Sequence, residues 1–340
     1  GASAVCGAAV AVAMAFAGSG YWALVGSGIA TQSARAVLLF VLTGCRPTLP
    51  QGGQGTMPLL AFGAWMTGTA LVSYGSESFD KVLIGKFWGA EQLGYYSRAY
   101  FLMGLPLLLA GRSIGAVMGP ALSALQHDKE ELGAVYRKLL NAMALLVCPV
   151  AGGLVVAAPE AVRLVYGPRW LPVVPILAWL SVASLFDYLW STTAWLFVSA
   201  GRVRTRFGVL GASSLLLVAG YVVGLRWGAV GVAAAYALTT ILVVTFPGFW
   251  MAHRVSGLGA GETLRGLSRV FVASLIMMVS AYLAGRVVTA GGLSWIWVLG
   301  GKVAAGASAY GIAVIPLVRP LLGWAARAGR PSAASGRGNR

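Results

Sequence analysis

The sequence predicts an all-α, polytopic bundle of transmembrane helices with about ten spans, and three observations carry that prediction. Of the 340 residues, 58% are hydrophobic and only 10% are charged, where a soluble domain carries about 25% charged residues. A soluble core of this size could not hide so much apolar surface, and the mean hydropathy is +0.80. The apolar residues also come in runs near the roughly 20 residues that a helix needs to cross a bilayer. Finally, the 47 glycines and 12 tryptophans suit a bundle in which small residues let helices approach and tryptophans sit at the interfaces.

The expected spans are 2–17, 21–43, 59–77, 94–122, 138–158, 172–200, 207–225, 228–250, 267–288 and 294–317. Between them lie a Gly/Pro/Gln loop from Arg46 to Pro58, a charged loop around Asp80, Lys81 and Lys86, and the stretch Gln126–Arg137, whose character is that of a soluble helix. Arg202 to Arg206 is a basic turn, Arg254 to Arg269 a Gly-rich basic loop, and the tail after Arg319 is basic with a disordered end.

Charge bias sets the orientation. With the N-terminus in the cytoplasm, the inside loops and tail carry 15 Lys/Arg and the outside loops six. That excess places both termini inside. The remaining four, Arg35, Arg98, Arg112 and Lys302, fall within spans, where a charge costs roughly 2.5 kcal/mol or more at the midplane unless it meets water, a partner or a ligand.

The net charge of +16 does not indicate nucleic acid. The basic residues are scattered between apolar spans, a pattern of cytoplasmic loops and contact with anionic membrane lipids. Cys6, Cys45 and Cys148 are far apart and form no CxxC pair, so neither a disulfide nor a metal is expected. His127 and His253 are not spaced to chelate, and no cofactor motif is present: Gly85-Lys86 is followed by Phe87, not by the Ser or Thr of a phosphate-cradling loop. The chain begins with Gly1 and is apolar at once, without a basic leader. The expectation is that sequence upstream has been removed.

Trp22-Ala-Leu-Val-Gly26 opens the second span and Trp227-Gly-Ala-Val-Gly231 the eighth. Six spans separate them, and two like-oriented copies of a six-helix unit are a transporter pattern.

From Ser78 onward the residues resemble the polysaccharide transporter family (O-antigen and exopolysaccharide flippase-like), within the superfamily of multidrug, oligolipid and polysaccharide exporters. The stretches that carry the resemblance are Asp80 to Lys86, Leu93 to Tyr100, Pro120 to Leu125, Ala194 to Phe197 and Gly201-Arg202. The resemblance as a whole covers most of residues 20 to 258. The resemblance implies a flippase of polyprenyl-pyrophosphate-linked oligosaccharide in the bacterial inner membrane. It also implies two six-helix lobes around a central cavity, often with two extra helices. By the Trp22/Trp227 repeat, the first two spans here correspond to the fifth and sixth of that family. Four helices of the first lobe are then absent. Residues 1–58 are the remainder of that lobe, 59–258 the second lobe, 259–318 two additional spans and 319–340 a basic cytoplasmic tail.

The candidate site residues follow from this frame. Arg98 and Arg112 are 14 residues apart, about 21 Å along one face of an unbroken helix, although Pro106 interrupts it. They are read either as a guanidinium pair that lines a cavity and binds pyrophosphate, or as one snorkelling and one structural arginine. Lys81, Lys86 and Arg35 join the substrate-binding set. Asp187 sits mid-span on a polar stripe with Ser184, Ser191 and Trp195. It and Asp80 are candidates for coupling an ion or tuning charge, the alternative being an Asp187 neutralised by Arg98 or Arg112. Gly220, Gly224 and Gly228 are expected in helix packing, as are Gly111, Gly115 and Gly119.

A cation-coupled multidrug exporter of the same superfamily would need an acidic, aromatic cavity, and the nine acidic residues argue against one. A truncated, non-transporting membrane protein is a further alternative. An enzyme such as a lipid-linked glycosyltransferase is not expected, because Asp128, Glu130 and Glu131, the one acid cluster, read as a solvated helix start. A polysaccharide polymerase or export machinery is the expected protein partner.

Overall fold

Small residues zip the first helices together. In the computed structural model, α1 (Ala2–Phe16) and α2 (Trp22–Thr43) form a hairpin. Gly7 lies against Thr31 and Gly26 against Met14, so a side chain at either glycine would clash. The turn uses Gly18 (φ 72°) and Gly20 (φ 53°), conformations that only glycine adopts at little cost. The described residues are 2–44, 56–125, 128–245, 247, 249–251, 254 and 260–328. They hold helices and turns and no strand, and divide into two compact units, 1–58 and 59–340. The side chain of Arg112, the residues Cys45, His127 and His253, most of the 46–58 loop and the tail beyond Ala328 lie outside the described residues.

In the second unit, α3 (Thr56–Ala124) is broken at Gly89 (φ 83°, ψ 179°). Gly85 lies against Leu93, and Asp80 is bonded to Tyr96. Both pairs are centred on the break, so the two segments run antiparallel as a hairpin. The charged loop expected around Asp80, Lys81 and Lys86 is therefore helix. Polar residues three and four apart there face the protein interior, and burial outweighs their weak helix preference.

After the hairpin, α4 (Lys129–Val156) starts at Asp128, whose carboxylate accepts from the Glu130 and Glu131 amides at 3.0 Å. The acid cluster is thus an N-cap followed by acids in the first turn, where the helix dipole favours them. α5 (Ala158–Tyr166) and a 3₁₀ turn (Pro168–Trp170) lead into α6 (Val173–Ser199). Then come α7 (Val203–Gly224), a 3₁₀ turn (Leu225–Trp227), α8 (Gly228–Thr239) with a π-helical extension (Thr240–Thr245), α9 (Ala260–Ala290) and α10 (Trp295–Ala328).

Two apolar clusters make the core, and α6 serves both. One joins Ile84, Tyr96, Leu177, Tyr221 and Val232; the other joins Leu139, Met143, Tyr188, Phe197 and Val270. The α7–α8 crossing is close because Gly224 faces Gly231 and Ala235, and Gly220 faces Thr239. Gly228 instead takes φ 68° at the turn.

Among the described residues, six helices are long and apolar enough to cross a membrane. One of them, Val203–Val243, contains the expected span 207–225 and most of 228–250. The two α3 segments and the 15-residue α1 fall outside that count. The class is a polytopic helical bundle; ten spans is more than these helices establish. Two boundaries also move. The soluble-looking 128–137 stretch is continuous with its span, and α10 runs into the expected tail as far as Ala328.

Candidate functional site: an acidic, tyrosine-lined hollow

A hollow of about 80 Å³ opens between α3, α6, α7 and α8. The first segment of α3 brings Ser73, Ser76 and Glu77 to it, at helical spacing that continues to Asp80. Ser76 donates to the Val72 carbonyl at 2.7 Å and accepts from Ser214 Oγ of α7 at 3.2 Å. From α6 come Asp187 and Trp190, one turn apart, and from α8 and its extension Tyr236 and Thr240. There the helix loosens into π turns, with Thr245 Oγ1 bonded to the Thr240 carbonyl at 2.7 Å. Such turns are frequent at functional sites.

The carboxylates sit in a frame of tyrosines. Asp80 is fully buried. It accepts from the Tyr96 hydroxyl at 2.7 Å and from the Lys81 amide at 2.6 Å. Lys81 Nζ lies 3.9 Å from Asp80, donates to the Glu77 carbonyl at 2.6 Å, and stands 4.1 Å over the Tyr100 ring. Tyr96, Tyr100, Tyr236 and Tyr221 follow one another at centroid separations of 6.2, 6.4 and 6.3 Å. Tyr236 and Glu77 both stand close enough to the Asp187 carboxylate to act on its charge. Asp187 itself is only partly buried, because it faces the hollow. Among the described residues, Glu77, Asp80 and Asp187 have Lys81 as their one basic neighbour here, so the acids of the site outnumber its bases. No group of three or more His, Cys, Asp or Glu able to hold a metal occurs among the described residues.

Residues 2–175 match the family described as "Polysaccharide biosynthesis protein". The chain belongs to that family. It is 28% identical to the lipopolysaccharide biosynthesis protein WzxC of Escherichia coli K12, over 76% of this chain and 54% of that protein. It is 27% identical to the teichuronic acid biosynthesis protein TuaB of Bacillus subtilis 168, over 67% of this chain and 47% of that protein. The chain thus spans about half the length of these curated relatives. Among solved structures it resembles the lipid II flippase MurJ in an inward closed conformation. The TM-score is 0.69 at 18% identity, over 94% of this chain and 67% of that one. The fold is therefore like that of MurJ, and the chain is a multi-pass membrane protein of the polysaccharide biosynthesis family. The family match covers the α3 acids, while Asp187, Tyr221 and Tyr236 lie beyond it.

Of the residues singled out in the sequence, the structure brings Asp80, Lys81 and Asp187 together. Arg98 is exposed, its guanidinium 5.7 Å from the ring centroids of both Tyr166 and Trp170, so it is not the partner of Asp187. Lys86 is exposed near Gly89, 5.7 Å from the Phe87 ring, and Arg35 is exposed on α2 of the other unit. The polar stripe of α6 divides. Asp187 faces the hollow, Trp195 packs on the α4–α9 cluster, and the Ser184 and Ser191 hydroxyls bond the carbonyls of Ser181 and Tyr188 at 2.9 and 2.8 Å.

Lys302 has a separate role. It reaches Glu160 at 2.9 Å and the Val156 carbonyl at 3.0 Å, tying α10 to the α4–α5 junction. Sequence reading passed over Glu77 and the four tyrosines. Their signal is the Ser73/Ser76/Glu77/Asp80 stripe and the Tyr96/Tyr100 spacing, but the expected end of a span at residue 77 cuts the stripe in two and leaves Asp80 in a loop.

Proposed function

We propose that this protein moves polyprenyl-pyrophosphate-linked oligosaccharide, the repeat unit of a surface polysaccharide, across the bacterial inner membrane by alternating access. The cation that drives the movement binds in the hollow of Glu77 and Asp187. No bond is made or broken in the cargo. The observation that carries this reading is the hollow's surplus acid inside a bundle of exporter fold. Unpaired carboxylates within a span are costly and persist where they serve an ion or proton pathway. Around 80 Å³ holds two or three waters at about 30 Å³ each, which suits a proton or a partly hydrated cation and excludes the cargo itself. Two relatives' names point the same way: a succinoglycan biosynthesis transport protein of Rhizobium meliloti, and the lipid II flippase whose fold the chain shares.

In this reading Asp187 and Glu77 take the cation, and Asp80 tunes their charge by fixing Lys81. Lys81 and Arg112 meet the pyrophosphate, while Arg98, Lys86 and Arg35 draw the anionic head group toward the membrane passage by longer-range attraction. Residues 1–58 contribute to a first lobe, 59–258 form the second, 259–318 add two helices, and 319–340 lie with both termini in the cytoplasm against anionic lipids. The cargo passes onward to a polysaccharide polymerase.

The acidic, aromatic lining is the one observation that favours a cation-coupled drug exporter instead. Against it stand the family and the size of the hollow, too small for a drug-sized molecule, whose sites measure about 300 Å³ or more. Export of surface polysaccharide from cells that depend on this protein tests the proposal. Asp187→Asn and Arg112→Ala should each cut export at least tenfold at an unchanged protein level. Export unaffected by both would defeat it.

A further inference from the structure

At the end of the second unit where α3 turns at Gly89, the chain builds a second, larger recess. It has a volume of about 380 Å³ and is lined by Ala90, Glu91, Gly94, Tyr95, Arg169 and Trp170. This is the size of a small-molecule site, more than four times the volume of the acidic hollow. Ala90 and Gly94 contribute small, apolar lining. The walls are Tyr95 and Trp170, whose ring centroids lie 5.9 Å apart with planes at 88°, forming a corner. Trp170 is held from behind by the Tyr166 ring at 5.7 Å and by the Arg98 guanidinium at 5.7 Å. Tyr166 is in turn bonded through its hydroxyl to the Arg98 carbonyl at 3.3 Å. The corner is thus preorganised by a cation–aromatic stack. At its rim the Tyr95 hydroxyl donates to Glu91 Oε1 at 2.7 Å. Glu91 and Arg169 are both exposed, one offering acceptors and the other donors.

We propose that this recess is a saccharide-binding site. A pyranose ring has an apolar C–H face that packs on an aromatic wall and an equatorial rim of hydroxyls that both donate and accept. Glu91 and Arg169 match that rim with charge-assisted hydrogen bonds. An excess of cations, as a bare phosphate would need, is absent: the lining holds one acid and one base. Arg98 is then a positioning residue that keeps Trp170 in place. That the bound sugar is part of the transported cargo rests on the transport reading above; binding itself does not.

The test uses the purified chain in detergent and saturation-transfer NMR. The probes are methyl glucopyranoside, methyl galactopyranoside and methyl glucuronide, with glycerophosphoethanolamine as the soluble lipid head group. At least one glycoside should receive saturation on its ring protons, the signal falling fivefold or more in Trp170→Ala and in Glu91→Ala. Glycerophosphoethanolamine should receive none. If Trp170→Ala does not fold, Glu91→Ala, a change at an exposed residue, decides alone. No saturation of any glycoside, equal saturation in both variants, or saturation of glycerophosphoethanolamine alone would each overturn the site. Transport that proceeds normally while no glycoside binds removes this site and leaves the transport reading standing. Glycoside binding by a protein that transports nothing does the reverse.

Discussion

Two charged clusters lie inside the second unit, and they are built differently. Lys302 and Glu160 pair one to one at 2.9 Å, each side chain only 12% exposed, and the spare lysine proton goes to the Val156 carbonyl. The two partly buried charges answer each other, and the pair joins α10 to α4 and α5, with the exposed Arg286 beside it. The hollow of Glu77, Asp80 and Asp187 has, among the described residues, one lysine for three acids, with hydroxyls from α3, α7 and α8 and room for water. Both clusters bear the cost of charge in a low-dielectric bundle. The balanced one recovers it by pairing. The unbalanced one, on the transport reading proposed above, recovers it by taking a cation.

The comparison can be broken at either end. The largest effect should come from Lys302→Met, which leaves Glu160 buried without its partner. Breaking such a pair typically costs about 3–5 kcal/mol, seen as a large fall in the thermal midpoint in detergent. The double change with Glu160→Gln should recover most of that loss, since a purely structural pair can be replaced. The hollow should answer in the opposite sense. Asp187→Asn should slow transport at least tenfold, about 1.4 kcal/mol on the barrier, with the thermal midpoint unchanged or raised. A variant that loses stability but keeps transport would make the hollow another structural cluster.

Tyr96→Phe sharpens the role of Asp80. It removes one of the hydrogen bonds to a fully buried carboxylate and should cost about 1–2 kcal/mol in thermal unfolding. The smallest change belongs to Lys86→Ala, at an exposed position. It should slow transport by less than about twofold and only at low ionic strength, because such steering is screened within about 8–10 Å at physiological salt. A larger loss that persists at high salt would place Lys86 on the cargo.

The helical class, most span centres and Asp187 were legible because apolar length and an isolated mid-span acid are local signals. The segment from Ser73 to Lys86 was not. The expected span stops at residue 77 and the charges from Asp80 to Lys86 read as a loop; only the helices around it show that its polar face is turned inward and its helix continues to Gly89. Arg98 misled for a related reason. Sequence spacing placed it on a face with Arg112, but its partners, Tyr166 and Trp170, come from a short helix and turn about 70 residues away whose existence no periodicity announced. Tyr221 and Tyr236 belong to separate helices, and what joins them to the acids is packing alone.

The central claim is that the acidic hollow harnesses a cation. Its most direct test is movement of a lipid-linked saccharide across vesicles that hold the purified protein, under an imposed gradient of protons or of sodium ions, one at a time. The account predicts that one gradient speeds the movement more than tenfold, and that Glu77→Gln with Asp187→Asn abolishes the response. Movement indifferent to both gradients, or a response that survives the double change, would contradict it.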